Sequence, residues 1–279
     1  MKIKIISDLH IDINKKILDV NQFGFINELL SNDIDILLIA GDTSGSYCLT
    51  SKYMFELKEL IEQNNLKTKV FFTIGNHEPY SYDIEDKTIQ DINLGFRSLF
   101  SSKPVIFLQN THSLLDDYVI FGGTLYTDFN LNGDISFGEM MSNKYINDFR
   151  YCAIKQDDDI IRAVKPRDYR ALFDKCIAQL EIICKEYTDK KIIVFTHFGV
   201  SKSSISEKYV NSHINSFYVS ALEDFIKRNN NIYLWAHGHV HDSFNYAIGN
   251  TKILVNPYGY YGYEQNILPE DYFGINIEI

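Results

Sequence analysis

Apolar runs of four to six residues recur along the chain, each stopped by glycine or by a polar residue. Residues 2–7 predict a short central strand ending at Asp8, and Asp35–Ala40 a second strand that runs into Gly41-Asp42. Lys69–Ile74 predicts a third strand, stopped at Gly75-Asn76-His77-Glu78. These runs are almost continuously apolar, as in strands buried on both faces. Between them, helical spacing predicts helices over Val20–Leu30, Ser51–Gln63 and, after the third strand, Ile89–Leu99. Alternation of this kind belongs to an α/β chain, whose sites tend to lie at the carboxyl ends of strands.

The pattern then shortens. Val105–Leu108, Ser113–Leu115, Tyr118–Phe121 and Thr124–Tyr126 read as short strands, with Asp116-Asp117 as a hairpin turn. The polar segment 130–166, which includes Asp157-Asp-Asp159, predicts either a lid or insertion, or a solvated loop with a short helix. Helical periodicity returns at Asp168–Glu186, then a strand at Lys191–Thr196 delivers His197. A helix over 217–228 precedes the strand Ile232–Ala236. Two more strands, Ser243–Ile248 and Lys252–Val255, flank the turn Gly249-Asn250. Gly274–Ile279 alternates like a closing strand.

Composition adds limits. The 279 residues are 45% hydrophobic and 23% charged, with five prolines and no linker-like tract, which predicts a single domain over 1–279. No apolar run approaches the roughly 20 residues of a membrane span, and the start has no signal-peptide pattern, so a cytoplasmic location and no membrane partner are expected. The net charge of −10 disfavours long DNA or RNA but admits a small phosphorylated substrate held by metal ions. The cysteines form no CxxC pair, and Cys176, Leu180 and Cys184 fit a buried helix face.

Candidate chemistry gathers at the strand ends. Trp235-Ala-His237-Gly-His239-Val-His241 follows one apolar run, and Asp8 with His10, Asp42, Asn76 with His77, and His197 each follow another. Carboxylate, imidazole and amide together suit divalent Mn, Fe, Zn, Co or Ni. These are too many ligands for one tetrahedral ion, whereas two ions sharing a carboxylate would use most of them.

Asp8-Leu-His10, Gly41-Asp42, Gly75-Asn-His-Glu78, His197 and Gly238-His-Val-His241 resemble, in order and spacing, the motifs of the calcineurin-like metallophosphoesterases. Gly122–Phe129, Asn147–Arg150, His241–Phe244 and Asn256–Tyr260 look like an ICC-like bacterial and phage subgroup of that family. The resemblance implies a four-layer α/β/β/α sandwich of two mixed sheets. It implies that Asp8, His10 and His241 hold one metal, that Asp42 bridges, and that Asn76, His197 and His239 hold the second. His77 resembles the family histidine that protonates or stabilises the leaving oxygen, work suited to imidazole near neutral pH. The implied activity is hydrolysis of a phosphomonoester or phosphodiester of a small substrate, with two divalent ions that ionise a shared water and clamp the phosphoryl oxygens.

Other readings are plainer. His237 reads as a packing or supporting residue, His213 as a surface-loop residue and His112 as a turn residue. Glu78 reads as an exposed loop glutamate, with orientation of His77 as the alternative. Tyr258, Tyr260, Tyr261 and Tyr263 could line a substrate mouth or simply pack. Gly41-Asp42 continues as Thr-Ser-Gly rather than Asp-Arg-Gly, unlike the Ser/Thr protein phosphatases, and Thr196-His197-Phe198 departs from the Thr-His-His of many ICC-like relatives. The competing functions are a nuclease of the same superfamily and a non-enzymatic protein-binding scaffold. Neither the substrate contacts nor the oligomeric state can be read from the chain.

Overall fold

Alternate residues of the apolar runs face two different cores, and this makes a layered molecule. A computed structural model describes residues 1–18, 30, 34–80, 87–156, 159–264, 272 and 274–279. The first sheet holds β1 (Lys2–Ile6), β2 (Ile36–Ala40), β3 (Lys69–Thr73), β4 (Ser101–Ser102), β5 (Val105–Phe107) and β14 (Ile275–Glu278), in the order β14-β1-β2-β3-β5-β4. The second holds β6 (Thr111–Leu115), β7 (Tyr118–Gly123), β10 (Lys191–Thr196), β11 (Ile232–His237), β12 (Phe244–Ile248) and β13 (Thr251–Val255), in the order β12-β13-β11-β10-β7-β6. Each has four parallel central strands and antiparallel strands at its edges.

The sheets meet through Ile3, Ile5, Ile36, Leu38 and Phe71 of the first, and Ile120, Ile193, Phe195, Leu234 and Leu254 of the second. On the outer face of the first sheet, Leu37, Ile39, Val70 and Phe72 pack with Tyr53, Met54 and Leu57 and with Ile92 and Phe96. These partners belong to the helices Tyr47–Gln63 and Ile89–Leu99. On the other outer face, Ile192, Val194 and Trp235 pack with Tyr169, Cys176, Leu180 and Ile183 of the helix Pro166–Glu186 and with Phe225 and Ile226. The result is the four-layer α/β/β/α sandwich of two mixed sheets. Burying one such side chain is worth about 1.5–3 kcal/mol, so the period-two pattern locks register.

Helix starts follow local chemistry. Ser46 accepts the Leu49 N–H at 2.9 Å, so the first of the outer helices begins a turn before Ser51. Thr88 and Asp91 bond reciprocally as a capping box.

Several expectations need correcting. Thr124–Tyr126 is not a strand: Leu125 and Tyr126 have φ of 71° and 63°, and the Thr124 carbonyl turns to accept the N–H groups of His197 and Phe198. The predicted helix 217–228 is two short helices, Asn215–Tyr218 and Glu223–Arg228. Between them Ser220 and Leu222 donate to the Gly199 and Val200 carbonyls, an outside pairing that overrides helix propensity. A helix at Ile11–Leu18 was not anticipated, and the one expected at Val20–Leu30 lies, Leu30 apart, outside the described residues. Segment 130–166 contains helices Ile135–Tyr145 and Asp148–Tyr151 and a hairpin pairing β8 (Ala153–Lys155) with β9 (Ile161–Ala163). Of its acidic run only Asp159 is described. His112 lies within β6 rather than in a turn and bonds the Tyr187 hydroxyl at 3.2 Å.

Candidate metal centre

All central strands of both sheets deliver their carboxyl ends to one rim. Loops after β1, β2 and β3 supply Asp8 and His10, Asp42, and Asn76 with His77, while loops after β10 and β11 supply His197 and then His239 and His241. Backbone bonds tie the loops together: Asp8 and His10 donate to the Gly41 and Asp42 carbonyls, and Gly238 to that of His197. Asp8, His10, Asp42, His239 and His241 have φ between 41° and 70°, the left-handed region that costs non-glycine residues energy and clusters at functional sites. Glycine is required at Gly41 and Gly238. At Gly41, φ is 83°, and a Cβ would lie 2.7 Å from the Gly75 nitrogen. At Gly238 the need is space rather than a tight turn, since a Cβ would lie 2.4 Å from the Asp8 carboxylate.

Among the described residues the donor atoms form three groups: Asp8, His10 and His241; Asp42, His197 and His239; and His10, Asp42 and His77. Within each group the atoms lie within 4.8 Å of one another. Their hydrogen bonds test whether a cation belongs there. His197 Nδ1 lies 2.9 Å from the Ala40 carbonyl, which only accepts, so that nitrogen carries hydrogen. In the neutral ring Nε2 then presents a lone pair, 3.0 Å from Asn76 Oδ1 and 3.3 Å from Asp42 Oδ2. Asn76 is oriented too, because its amide nitrogen donates to Asp148 Oδ1 at 3.0 Å and leaves Oδ1 facing the ring. On the other side His241 Nδ1 meets Glu264 Oε2 at 2.6 Å, so Nε2 faces Asp8 Oδ1 at 3.3 Å and His10 Nε2 at 3.1 Å. His239 Nε2 is buried with no partner among the described residues. Such a convergence of acceptor atoms demands a positive charge, and its donor set fits a divalent metal.

Proton affinities carry the same message. Burial alone would lower His197, but the Asp42 carboxylate outweighs it and raises the imidazole to about 9. Burial would likewise lower His241, which hydrogen bonds to Asp8 and Glu264 raise to about 10. Burial works against the Asp8 carboxylate, yet His241 brings it down to about 2. His10 and His239 go the other way, held neutral chiefly by burial.

His77 is 19% exposed and lies at the edge of this cluster. Its backbone N–H donates to Asp42 Oδ1 at 2.9 Å, and its ring packs on Tyr80 with centroids 4.5 Å apart. Glu78 is not the exposed loop residue expected. It is fully buried and accepts N–H bonds from Asp42, Thr43 and Gly75, joining the loops after β2 and β3. His237 is buried against Ser204 at 2.8 Å, and His213 is exposed, edge-on to Phe137. Phe198 packs on His239 with centroids 4.1 Å apart, so the departure from Thr-His-His puts an apolar wall behind that ring. The tyrosines divide: Tyr258 is core, Tyr263 is 86% exposed, Tyr261 packs on the core, and Tyr260 covers His10 with centroids 4.5 Å apart.

Three participants were given no role by the sequence. Asp148 is fully buried and accepts from Asn76, Tyr80 and Tyr169. Tyr80 supports His77, and Glu264 fixes His241. Asp148 and Glu264 meet their partners across 72 and 23 residues, and such pairings leave no local periodicity to read.

Above the cluster lies a cleft of about 540 Å³, walled by Tyr145–Asp148, Ser204–Ser206 and Tyr218 and reaching Asp42, Asn76, His77, His239 and His241. Among the described residues no helix is long and apolar enough to cross a membrane.

The sequence model of the family described as calcineurin-like phosphoesterase matches residues 1–243. An uncharacterized protein of Acanthamoeba polyphaga mimivirus is 25% identical over 253 residues, covering 88% of this chain and 85% of that protein. Among solved structures, the phosphopantetheinyl hydrolase of Mycobacterium tuberculosis matches with a TM-score of 0.64 at 16% identity, over 93% of this chain and 89% of its own. A dimetal phosphatase from Danio rerio matches with a TM-score of 0.48 at 9% identity, over 91% of this chain and 86% of its own.

Proposed function

This chain belongs to the calcineurin-like phosphoesterase family, and on that premise we propose that it is a dinuclear metal-dependent hydrolase of a small phosphomono- or phosphodiester. One observation carries the reading: ring nitrogens and oxygens of His197, Asn76 and Asp42, and of His241, His10 and Asp8, converge within 3.0–3.3 Å in two neighbouring clusters. Asp8, His10 and His241 would hold one ion, Asn76, His197 and His239 the other, and Asp42 both, since a carboxylate has lone pairs on two oxygens. When bound, such ions lower the pKa of a shared water and neutralise phosphoryl charge.

The chain's own residues supply the rest. As a water oxygen bonds to phosphorus and the ester P–O bond breaks, His77 gives its Nε2 proton to the leaving oxygen. Its position at the open edge of the cluster suits that role. Asp148 keeps the Asn76 oxygen turned inward, and the left-handed ligand residues hold their side chains ready without rearrangement.

The test is turnover of p-nitrophenyl phosphate and bis(p-nitrophenyl) phosphate with added Mn, Zn, Co or Ni. Asp42→Asn and His239→Ala should abolish it while circular dichroism shows the fold intact, and full activity in either would refute the assignment. His77→Ala should keep its metal by calorimetry yet lose rate, most with poor leaving groups. Loss of metal instead would make His77 a ligand, consistent with its place beside His10 and Asp42.

A further inference from the structure

Resting on the phosphoesterase reading above, we infer that the site takes a substrate with one phosphoryl group on an uncharged, ring-bearing body, and discriminates against a second phosphate. The cleft supports this first by its charges. Among the described residues lining it there is no lysine or arginine, and its charged groups other than histidines are the carboxyls Asp42, Asp148 and Glu264. The stretches 81–86 and 265–271, which adjoin Tyr80 and Glu264 in sequence, contain no lysine or arginine either, whereas Lys15 and Lys16 follow the lining residue Ile13 in sequence.

Two divalent ions facing the Asp8 and Asp42 carboxylates leave a surplus of about two positive charges, enough for one phosphoryl group. A second phosphate would find no cationic side chain among the described wall residues and would face Glu264, whose carboxylate is committed to His241. Proteins that bind polyphosphates recruit arginine, lysine or a helix N-terminus for each added group. Two lysines approach from outside the lining: Lys144 and Lys208 each lie 5.0 Å from a tyrosine ring, and Lys208 is paired with Asp242 at 3.1 Å.

The second support is the walls. Tyr218 stacks on His239 with centroids 4.7 Å apart and planes at 27°, and Tyr260 covers His10. Tyr145, Tyr209 and Phe217 line the same cleft, together with neutral Asn and Ser side chains. Such a surface binds a flat ring or an uncharged alcohol through stacking and neutral hydrogen bonds.

The experiment uses the Mn-loaded protein and three diesters that all release p-nitrophenolate. These are thymidine 5′-(p-nitrophenyl phosphate), its 3′-phosphorylated counterpart, and methyl p-nitrophenyl phosphate. The added 3′-phosphate should lower kcat/KM by about tenfold or more at low salt, with the gap narrowing as salt rises. The methyl ester should show a higher KM than the thymidine ester. Tyr218→Ala, and independently the more exposed Tyr145→Ala, should raise KM for the thymidine ester more than for the methyl ester. Equal or faster turnover of the 3′-phosphorylated ester, or a methyl ester bound as well as the thymidine ester, would overturn the inference and leave the phosphoesterase reading standing. No turnover of any of these diesters would overturn the inference, and failure of p-nitrophenyl phosphate and bis(p-nitrophenyl) phosphate as well would overturn the phosphoesterase reading with it.

Discussion

Glu264 touches no substrate in the proposed chemistry, yet replacing it with glutamine should weaken metal binding. Its Oε2 accepts from His241 Nδ1 at 2.6 Å and from the Tyr260 N–H at 3.0 Å. An acceptor there keeps hydrogen on Nδ1 and the lone pair of Nε2 turned toward Asp8 and His10. Glutamine can keep the oxygen but not the charge, and alanine keeps neither. Supporting partners of this kind are worth about 10–100-fold in metal affinity, or roughly 1.4–2.7 kcal/mol. A compensating effect must be subtracted. Glu264 also helps raise His241 to about 10, so at pH 7 an entering ion must displace a proton that the variant would hold less tightly. Losing the carboxylate therefore weakens the ion and its competitor together, the ion more because it is doubly charged. Glu264→Gln should bind Mn about tenfold more weakly at pH 7, with the gap widening as pH rises toward 10, and Glu264→Ala should lose more. Calorimetric titration at pH 7 and 9 reads both values. Equal affinity of wild type and Glu264→Ala at both pH values would refute the reasoning.

Three further outcomes follow from the same geometry. Asp148→Asn should lower affinity for one ion, lower kcat by about tenfold and reduce stability by roughly 1–3 kcal/mol, because it disturbs bonds from Asn76, Tyr80 and Tyr169; titration and urea melts check this. Gly75→Ala should cost about 1–3 kcal/mol and most activity, since the new Cβ would lie 2.0 Å from Asp42 Oδ1; thermal melts and turnover read it. Burial holds His237 at about 4, below its usual 6.5, so between these values the unfolded chain takes up a proton that the folded chain refuses. The stability this residue contributes is complete above pH 6.5 and lost as pH falls toward 4, by up to roughly 3 kcal/mol. Urea unfolding in EDTA at pH 7.5 and 4.5 should show a smaller difference for His237→Gln than for wild type, and an unchanged difference would contradict the assignment.

What could be read from the sequence was what repeats locally. The runs at Asp35–Ala40, Lys69–Ile74 and Lys191–Thr196 announce strands because both faces are buried, and Asp42, Asn76 and His197 follow them within two residues. Ile89–Leu99 announces a helix by its spacing, while the Thr88–Asp91 capping box that starts it emerges only in the structure. The misses have long-range causes. Val219–Leu222 leaves the helical path to pair with Gly199 and Val200, and Leu125 and Tyr126 turn left-handed where hydrophobicity alone suggests a strand. Glu78 resembles any loop glutamate until three backbone N–H groups from two loops are seen to surround it. Asp148 lay inside the quoted Asn147–Arg150 stretch, but its role requires Asn76, 72 residues away.

The division of the donors between two sheets has a mechanical consequence. Asp8, His10, Asp42 and Asn76 ride on one sheet, and His197, His239 and His241 on the other, with Asp42 Oδ2 only 3.3 Å from His197 across the boundary. Ions held by both sets would rivet the two halves of the sandwich at one end, leaving apolar contact to join them elsewhere. Chelation should then loosen the seam itself, lowering the melting temperature and speeding amide exchange along β2 and β10 together. By mass action the rivet adds about 4 kcal/mol at an ion concentration a thousandfold above its Kd. Metal supply would then set the rigidity of this protein as well as its chemistry.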